Sequence, residues 1–446
     1  MGSILEFPLL LLPVCCFLAR VAGMVNLLER WQNIPLYLRT LIGMALGAVV
    51  GLWQGPDAVA LAKPGSILMG LVQMLAAPVA FFAIVHALAG AKIEKGKTPQ
   101  LIRLLATNTI AAIIIGMCVA NLIQPGKRNA LEQERAAMSQ EAVKLQDTIS
   151  AVQERAKETK LTDSIYQILE RLPKTVLGPF TDGNVLGVVV LAILLGLALR
   201  RVSPDIHATT TTVKVFMDAF ITILHWVVQL VPFIVLGVVA AEVGKNGFAS
   251  FFNLLWLVVA VILALSLQFC YYMLRVKLQS WVTPTLLIRH CRDALVMAFS
   301  TSSSTATMPV TYECLRNNLK LRKQSANLGA LVGANFNNDG TALYESMAAL
   351  FIAQLLGADL SLAQQLIIVL CAMAASIGAA GIPSSGMLTM TLVLTAVGLP
   401  LQYSLLLIPV DWFLDRFRTM INVSGDLCVA CVLDGKQPES GHLPSA

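Results

Sequence analysis

Charge is scarce in this sequence. Only 13% of its 446 residues are Asp, Glu, Lys or Arg, about half the share usual in soluble domains, while 57% are hydrophobic. The sequence has no basic patch interleaved with aromatic residues, so nothing in it favours nucleic-acid binding. The scarcity of charge predicts a protein embedded in a lipid bilayer instead.

Enzyme signatures are missing as well. The serine-rich run 300–305 has no histidine nearby in the sequence that could act as the base of an intramembrane protease. Gly90 and Gly96 are separated by five residues, whereas a phosphate-binding loop requires four. Cys428 and Cys431 lie inside an apolar run, where cysteine behaves as a small hydrophobic residue. We therefore predict that the protein is not an enzyme.

Long apolar runs are abundant. Runs of about 18 or more apolar residues indicate membrane-spanning helices. The predicted spans lie near residues 36–54, 66–90, 101–124, 178–200, 213–241, 250–275, 342–358 and 401–432. Basic residues flank the spans in short loops: Arg30 and Arg39 before the first, Lys92, Lys95 and Lys97 after the second, Arg200 and Arg201 after the fourth, and Arg275 and Lys277 after the sixth. Because such loops favour the cytoplasm, we predict a multi-pass protein of the plasma (inner) membrane with a cytoplasmic N-terminus.

Two segments fall outside this pattern of spans. Residues 4–23 are apolar but lack a basic flank, which disfavours a standard signal peptide and leaves an upstream extension with a start at Met24 open. The polar insert that begins at Lys127 repeats apolar residues every seven positions from Leu131 to Val152, a pattern that predicts a helix outside the membrane. This helix either packs on its own protein or associates around an oligomer axis.

Three apolar stretches of the second half are interrupted by small polar residues. Stretches 285–318 and 361–397 are broken at 300–305 and 378–386, and each arm of about 14 residues spans roughly 21 Å as a helix, short of the ~30 Å bilayer core. We therefore predict two re-entrant hairpins around a binding site, as in secondary transporters. The third break, 333–341, frees backbone carbonyls beside Asn337 and Asp339, and such oxygen ligands suit Na⁺.

The last apolar run, 401–433, contains five charged groups between Asp411 and Asp426. A charge at the bilayer centre costs roughly 2.5–3.5 kcal/mol, so these groups must face protein, water or a polar ligand. At about 100° per residue, one stripe of the helix carries Asp411, Asp415, Arg418, Asn422 and Asp426. This combination of carboxylates and a guanidinium predicts transport of a small charged solute. For Asp411 and Arg416, a structural ion pair is the favoured interpretation.

These breaks and the charged helix, in this order, resemble the glutamate transporter family of dicarboxylate/amino acid:cation symporters. The matching motifs are Ser302–Thr307 with Met308 and Pro309, Asn337–Thr341, Gly381–Pro383 and 411–426. The resemblance covers about 36–446 except the insert. It implies an all-α membrane protein with eight transmembrane helices plus two re-entrant helical hairpins, working as a homotrimeric elevator-type secondary transporter.

The resemblance also implies a division of the chain. The expected parts are an N-terminal extension (1–35), scaffold helices 1 and 2 (36–100), transport-domain helix 3 (101–125), the extracytoplasmic insert (126–175), scaffold helices 4 and 5 (176–245) and the rest of the transport domain (246–446).

By resemblance, Arg418 holds a side-chain carboxylate of the substrate, Asp415 its ammonium group, and Asn422 and Thr341 its α-carboxylate and nearby polar groups. Further substrate contacts implied by the resemblance are Ser303, Ser304, Gly381, Ile382, Pro383, Gly386 and Thr419. Arginine suits a carboxylate because its planar fork makes two parallel hydrogen bonds. A carboxylate at position 415 is needed only if the substrate carries a cation, which favours glutamate or aspartate. A C4-dicarboxylate or neutral amino acid symporter of the same family, and a substrate-gated anion channel, remain the alternatives.

The coupled ion is expected to be Na⁺, with H⁺ left open as a second one. By resemblance, the sodium ligands are Asp426 with Gly333, Asn337 and Asn422, and Asp339 with Asn108 and Thr109, besides carbonyls of the second hairpin. Glu345 is the expected proton carrier, because burial favours the neutral form of a carboxyl group. Asn335 and Asn338 depart from the family pattern of Thr and Met, which leaves the number and identity of the coupled ions open. Arg416 is expected to replace the first-hairpin arginine of archaeal members.

Overall fold

A computed structural model describes residues 36–90, 98–127, 175–181, 185–202, 206–358, 362–378 and 385–437, together with Ile34 and Leu360. All regular structure within these ranges is helical. This agrees with a bilayer environment, where a helix satisfies its backbone groups within its own segment. The apolar segment 4–23, the heptad insert and the motif Gly381–Pro383 lie outside the described residues.

The helices of the first half follow the predicted spans with one exception. They are α1 (Leu36–Gln54), a 3-10 segment (Gly55–Ala62), α2 (Lys63–Gly90), α3 (Thr98–Ile123), α4 (Gly178–Thr181), α5 (Val185–Val202), α6 (Ile206–Val228) and α7 (Val231–Asn246). The single span predicted over 213–241 is wrong, because the helix breaks there into α6 and α7. Pro232 lies in the first turn of α7, where a proline starts a new helix at no cost in hydrogen bonds.

The helices of the second half are shorter and more often interrupted. They are α8 (Ala249–Gln279), α9 (Pro284–Thr301), α10 (Ser304–Glu313), α11 (Lys323–Asn327), α12 (Gly333–Phe336), α13 (Asp339–Leu355), α14 (Leu362–Gly378), α15 (Ser385–Val397) and α16 (Ile408–Asp434). Two π-helical turns, Cys314–Asn318 and Leu328–Val332, follow α10 and α11, and a 3-10 segment, Leu401–Leu407, precedes α16. The predicted breaks are confirmed after Thr301 and after Phe336.

Helices α1 and α7 pack backbone against backbone. Gly43, Gly47 and Gly51 recur every four residues along one face of α1. A β-carbon at each of these glycines would collide with the backbone oxygens of Pro232, Leu236 and Ala240, respectively. Two glycines of α7, Gly237 and Gly244, approach the backbone oxygens of Leu61 and Gly55 equally closely. Such small-residue faces let membrane helices approach far more closely than larger side chains would.

The outer surface is apolar and the centre is polar in places. Trp53 and Leu122 are more than 80% exposed on their helices, as expected of groups that face lipid. Within the described residues, three segments are long and apolar enough to cross a membrane, namely Leu38–Gly65, Pro99–Ile123 and Leu254–Gln279. By contrast, every residue of α13 is buried, and this helix packs against α3, α8, α14, α15 and α16. Helix α13 is therefore the centre of the second half.

Five basic residues predicted to lie in loops lie inside helices, namely Arg39, Arg200, Arg201, Arg275 and Lys277. Arg39 belongs to α1 and Arg275 to α8, and both are buried. Arg200 and Arg201 lie in the last turn of α5 and not in a loop after it, and both are exposed. The span ending at 275 was placed too short, because α8 continues to Gln279.

Candidate functional site

The charged stripe of α16 faces the protein interior, as predicted. Asp411 lies in the first turn, where an acidic group interacts favourably with the helix dipole, and Gly435 ends the helix with a positive φ of 85°. All five members of the stripe, Asp411, Asp415, Arg418, Asn422 and Asp426, are at most 9% exposed. The helix therefore carries its charges into the centre of the second half and not toward lipid.

Arg418 is fully buried between two carboxylates of its own helix. Its Nη2 lies 2.8 Å from Asp415 Oδ1 and 3.0 Å from Asp411 Oδ1. Its guanidinium also lies over the ring of Tyr344, 4.2 Å from the ring centroid. The two aspartates and the arginine together carry a net charge of −1.

Two donor nitrogens of Arg418 take no part in these ion pairs. Among the described residues, neither Nε nor Nη1 has a hydrogen-bond partner. The start of α15 covers Nη1, because a β-carbon at Gly386 would lie only 2.6 Å from it. Buried donors without partners are rare because each costs roughly 1–3 kcal/mol. The orphaned Nε and Nη1 therefore indicate a place for an acceptor that the described residues do not supply.

The expected ion pair between Asp411 and Arg416 is wrong, because Asp411 pairs with Arg418 instead. Arg416 Nη1 donates to the backbone oxygens of Phe299 and Ser300, each at 3.1 Å. Its guanidinium also lies 6.0 Å from the centroid of the Phe299 ring. Arg416 thus ties α16 to the end of α9, next to the tip of the first hairpin.

The tip of this hairpin is a tight turn between α9 and α10. Ser302 adopts the left-handed conformation with φ 51°, and Ser303 is extended. The Ser303 hydroxyl accepts a hydrogen bond from the backbone N–H of Ala306 at 3.1 Å and so caps α10. Ser303 and Ser304 are both buried, and both arms of the hairpin contact α16. The cap accounts for one serine of the run; Ser304 opens the helix beside it.

The break between α12 and α13 meets the middle of α16 through side-chain amides. Asn422 Oδ1 accepts a hydrogen bond from the backbone N–H of Gly340 at 2.8 Å, and its Nδ2 donates to Thr341 Oγ1 at 3.2 Å. Asn338 Nδ2 donates to the backbone oxygen of Ser376 on α14 at 2.9 Å. Asn338, which departs from the family pattern, therefore links the break to the second hairpin.

The first predicted sodium set is assembled around Asp426. Asn337 Nδ2 donates to Asp426 Oδ1 at 3.2 Å and to the backbone oxygen of Asn422 at 3.3 Å. Gly333 lies against the Asp426 carboxylate so closely that a β-carbon there would collide with Oδ1. Asn337 Oδ1 is buried and has no hydrogen-bond partner within the described ranges. An orphaned oxygen beside a buried carboxylate fits a small cation, because the ion would satisfy both.

The second predicted set is arranged differently. Asp339 accepts hydrogen bonds from Thr109 Oγ1 at 2.6 Å and from the Tyr272 hydroxyl at 2.5 Å, one on each carboxylate oxygen. Asn108 Oδ1 accepts a hydrogen bond from Arg275 Nη1. The sequence analysis did not assign Tyr272 or Arg275 to the site. The available signal was an arginine three residues after a tyrosine in a helix otherwise rich in apolar residues.

The remaining predicted residues lie close to this centre or outside the description. Glu345 is fully buried on α13, beside Thr389 of α15 and near Arg418. Thr419 is buried on α16 next to Arg418. A narrow cavity between Tyr344, Gly386, Met390, Ser404, Leu407, Ile408 and Asp411 opens beside the charged stripe. The side chain of Asn335 and residues Gly381, Ile382 and Pro383 are outside the described part of the chain.

Interrupted helices that surround a buried charged stripe, in a chain with membrane-spanning helices, define a multi-pass membrane transport protein and not an enzyme. The chain belongs to the sodium:dicarboxylate symporter family, whose model matches residues 36–436. It is 31% identical over 420 residues to excitatory amino acid transporter 1 of Ambystoma tigrinum, covering 83% of this chain and 76% of that protein. It is 32% identical over 428 residues to human excitatory amino acid transporter 5, covering 83% and 75%. Over 405 residues it is 30% identical to a C4-dicarboxylate transport protein of Xanthomonas campestris pv. campestris (strain B100), covering 89% and 87%.

Proposed function

We propose that this protein is a Na⁺-coupled symporter of acidic amino acids, glutamate or aspartate, in the plasma membrane. The observation that carries the proposal is the fully buried Arg418, which has two donors without partners among the described residues and two carboxylates beside it. By resemblance to the family, we further propose the homotrimeric elevator architecture with eight transmembrane helices and two hairpins, and the division into scaffold and transport domains.

The charge of the centre favours a substrate that brings its own cation. Asp411, Asp415 and Arg418 together carry −1, so a solute with only carboxylates would add to the excess of negative charge. A solute with an ammonium group places this group beside Asp415 and its side-chain carboxylate on the free donors of Arg418. A neutral amino acid would leave those donors without a partner, at a cost of roughly 1–3 kcal/mol.

The C4-dicarboxylate symporter is the second candidate, supported by the relative whose name states that activity. The two candidates differ at Asp415. A dicarboxylate has no ammonium group for this residue to bind, whereas an amino acid depends on it.

We propose that the Asp426 set, with Gly333, Asn337 and Asn422, binds co-transported Na⁺. The orphaned Oδ1 of Asn337 supports this assignment. Glu345 is the proposed carrier of a coupled proton, supported by its complete burial in α13.

The test is uptake of a substrate panel into proteoliposomes with independently set Na⁺, H⁺ and K⁺ gradients. We expect Na⁺-driven uptake of glutamate or aspartate by the unmodified protein. Asp415→Asn should lower this uptake at least ~10-fold, because a charge-assisted hydrogen bond to the ammonium is lost. Uptake of C4-dicarboxylates should not fall with it. If the unmodified protein prefers succinate and Asp415→Asn leaves this preference intact, the second candidate is correct. Substrate-gated current without stoichiometric uptake would identify a channel instead.

A further inference from the structure

Arg275 is a buried arginine near the end of a membrane-spanning helix. It is 9% exposed on α8, within the candidate span Leu254–Gln279. Its Nη1 donates to Asn108 Oδ1 and, at 3.2 Å, to the Tyr271 hydroxyl, and its Nη2 donates to Thr107 Oγ1 at 2.9 Å. All three acceptors are neutral. A charge in such a place needs a compensating carboxylate or a function.

The nearby carboxylate is Asp339. Asn108, which binds Arg275, precedes Thr109, which donates to Asp339 Oδ1 at 2.6 Å. Tyr272, which donates to Asp339 Oδ2 at 2.5 Å, lies three residues before Arg275 and thus one helical turn away. Arg275 and Asp339 do not form a direct ion pair; they are linked through Asn108 and Thr109 on α3 and through Tyr272 on α8. A single network therefore joins the cation of Arg275 to the anion of Asp339.

This network comprises the three residues that the resemblance assigned to a second sodium site, Asn108, Thr109 and Asp339. In the Asp426 set, one buried oxygen has no donor among the described residues. In the Asp339 set, both carboxylate oxygens and Asn108 Oδ1 already accept hydrogen bonds. A sodium ion would have to displace these donors and would also meet a fixed positive charge. The set does not fit a sodium ion as the Asp426 set does.

We propose that Arg275 is a tethered cation that replaces a sodium ion at the Asn108–Thr109–Asp339 position. The chain then couples uptake to one Na⁺ fewer than it would with this position open, and the Asp426 set remains a sodium site. The inference rests on the proposed Na⁺-coupled symport. Its physical basis is that a guanidinium held by covalent bonds neutralises Asp339 at every Na⁺ concentration and cannot dissociate at either side of the membrane.

The decisive variant is Arg275→Met, which removes the charge and keeps most of the side-chain volume. We expect the ratio of ²²Na⁺ to substrate taken up by proteoliposomes to rise by one, and the Na⁺ dependence of uptake to become steeper. Arg275→Lys, which keeps a cation, should retain the ratio of the unmodified protein. An unchanged ratio in an active Arg275→Met protein overturns the proposal.

A second variant covers the case in which Arg275→Met does not fold, because Asp339 then lacks its counter-charge. Arg275→Met combined with Asp339→Asn removes both charges. The proposal predicts that this double variant keeps the Na⁺:substrate ratio of the unmodified protein. If Asp339 were itself a sodium ligand, the ratio would fall by one, and the proposal would be refuted.

The control separates this inference from the proposed function. Asp426→Asn should weaken the Na⁺ response in both the unmodified and the Arg275→Met backgrounds, and Na⁺-dependent thermal stabilisation of the purified protein reports this without transport. If the unmodified protein shows no Na⁺ response in uptake or in stabilisation, the proposed function fails. If that response is present and the Arg275 variants leave the ratio unchanged, only the tethered cation fails.

Discussion

Two helix contacts in this molecule achieve close approach by opposite means. Helices α1 and α7 meet through Gly43, Gly47 and Gly51, and the contact is backbone against backbone. Helix α16 meets the break between α12 and α13 through Asn422, Asp426 and their hydrogen-bonded partners. The first contact is made by glycines and by backbone that is already hydrogen-bonded within its own helix. The second consists of groups that can exchange one polar partner for another, which is what reversible binding requires.

The largest effect is expected at the polar contact, from Arg418→Ala. Uptake of glutamate and aspartate should be abolished, because the guanidinium that receives the substrate carboxylate is gone. The protein should also lose stability by about 3–5 kcal/mol, because Asp411 and Asp415 remain buried without their counter-charge. Combining Arg418→Ala with Asp411→Asn removes one of the two negative charges that have lost their counter-charge. The double variant should regain abundance in the membrane and still fail to take up substrate. Recovery of uptake together with abundance would show that Arg418 is only structural.

A substitution in the glycine contact between α1 and α7 should lower the stability of the protein and leave its substrate choice unchanged. Gly47→Ala places a β-carbon against the backbone oxygen of Leu236, so we expect a loss of about 1–3 kcal/mol, seen as a lower melting temperature in detergent. Gly70→Ala is the matched control, because Gly70 lies within α2 with open space around it. The control should be neutral or slightly stabilising, since alanine favours a helix over glycine by about 1 kcal/mol. Equal melting temperatures for the two variants would contradict the close packing.

The smallest effect is expected from Glu345→Gln, which keeps the shape of the buried side chain and removes its ability to exchange a proton. Uptake should become independent of the pH gradient and change only a few-fold in rate at neutral pH. The comparison is Glu313→Gln, an exposed acid at the end of α10, which should leave the pH profile as it was. A pH profile that survives in Glu345→Gln would remove this residue from proton coupling.

The sequence predicts the polar contact better than the apolar one, for a physical reason. Charges in an apolar run are costly, so the stripe from Asp411 to Asp426 had to face inward, and it does. The helical angles also predict the correct ion pair, Asp411 with Arg418. At about 100° per residue, Arg418 lies about 20° from Asp411 around the helix, whereas Arg416 lies about 140° away. The pairing with Arg416 was wrong because it neglected this angle.

Other features depend on contacts that no local pattern records. Tyr272 and Asp339 are 67 residues apart and Arg275 and Asn108 are 167 apart, so neither pair leaves a periodic signal in the sequence. The break between α6 and α7 has a local signal in Pro232, but the surrounding hydrophobicity conceals it when spans are assigned by hydropathy alone. The number of membrane crossings, the domain division and the trimer remain predictions.

The glycine face of α1 also limits how the molecule can change shape. Its contacts with α7 repeat every four residues, or about 6 Å, so a screw movement by one residue, about 1.5 Å along the axis and 100° around it, would place a larger side chain where only hydrogen fits. Neither helix can glide along the other in small increments. We expect α1 and α7 to move as one rigid unit, so a movement that carries a solute across the bilayer must occur at a different helix contact.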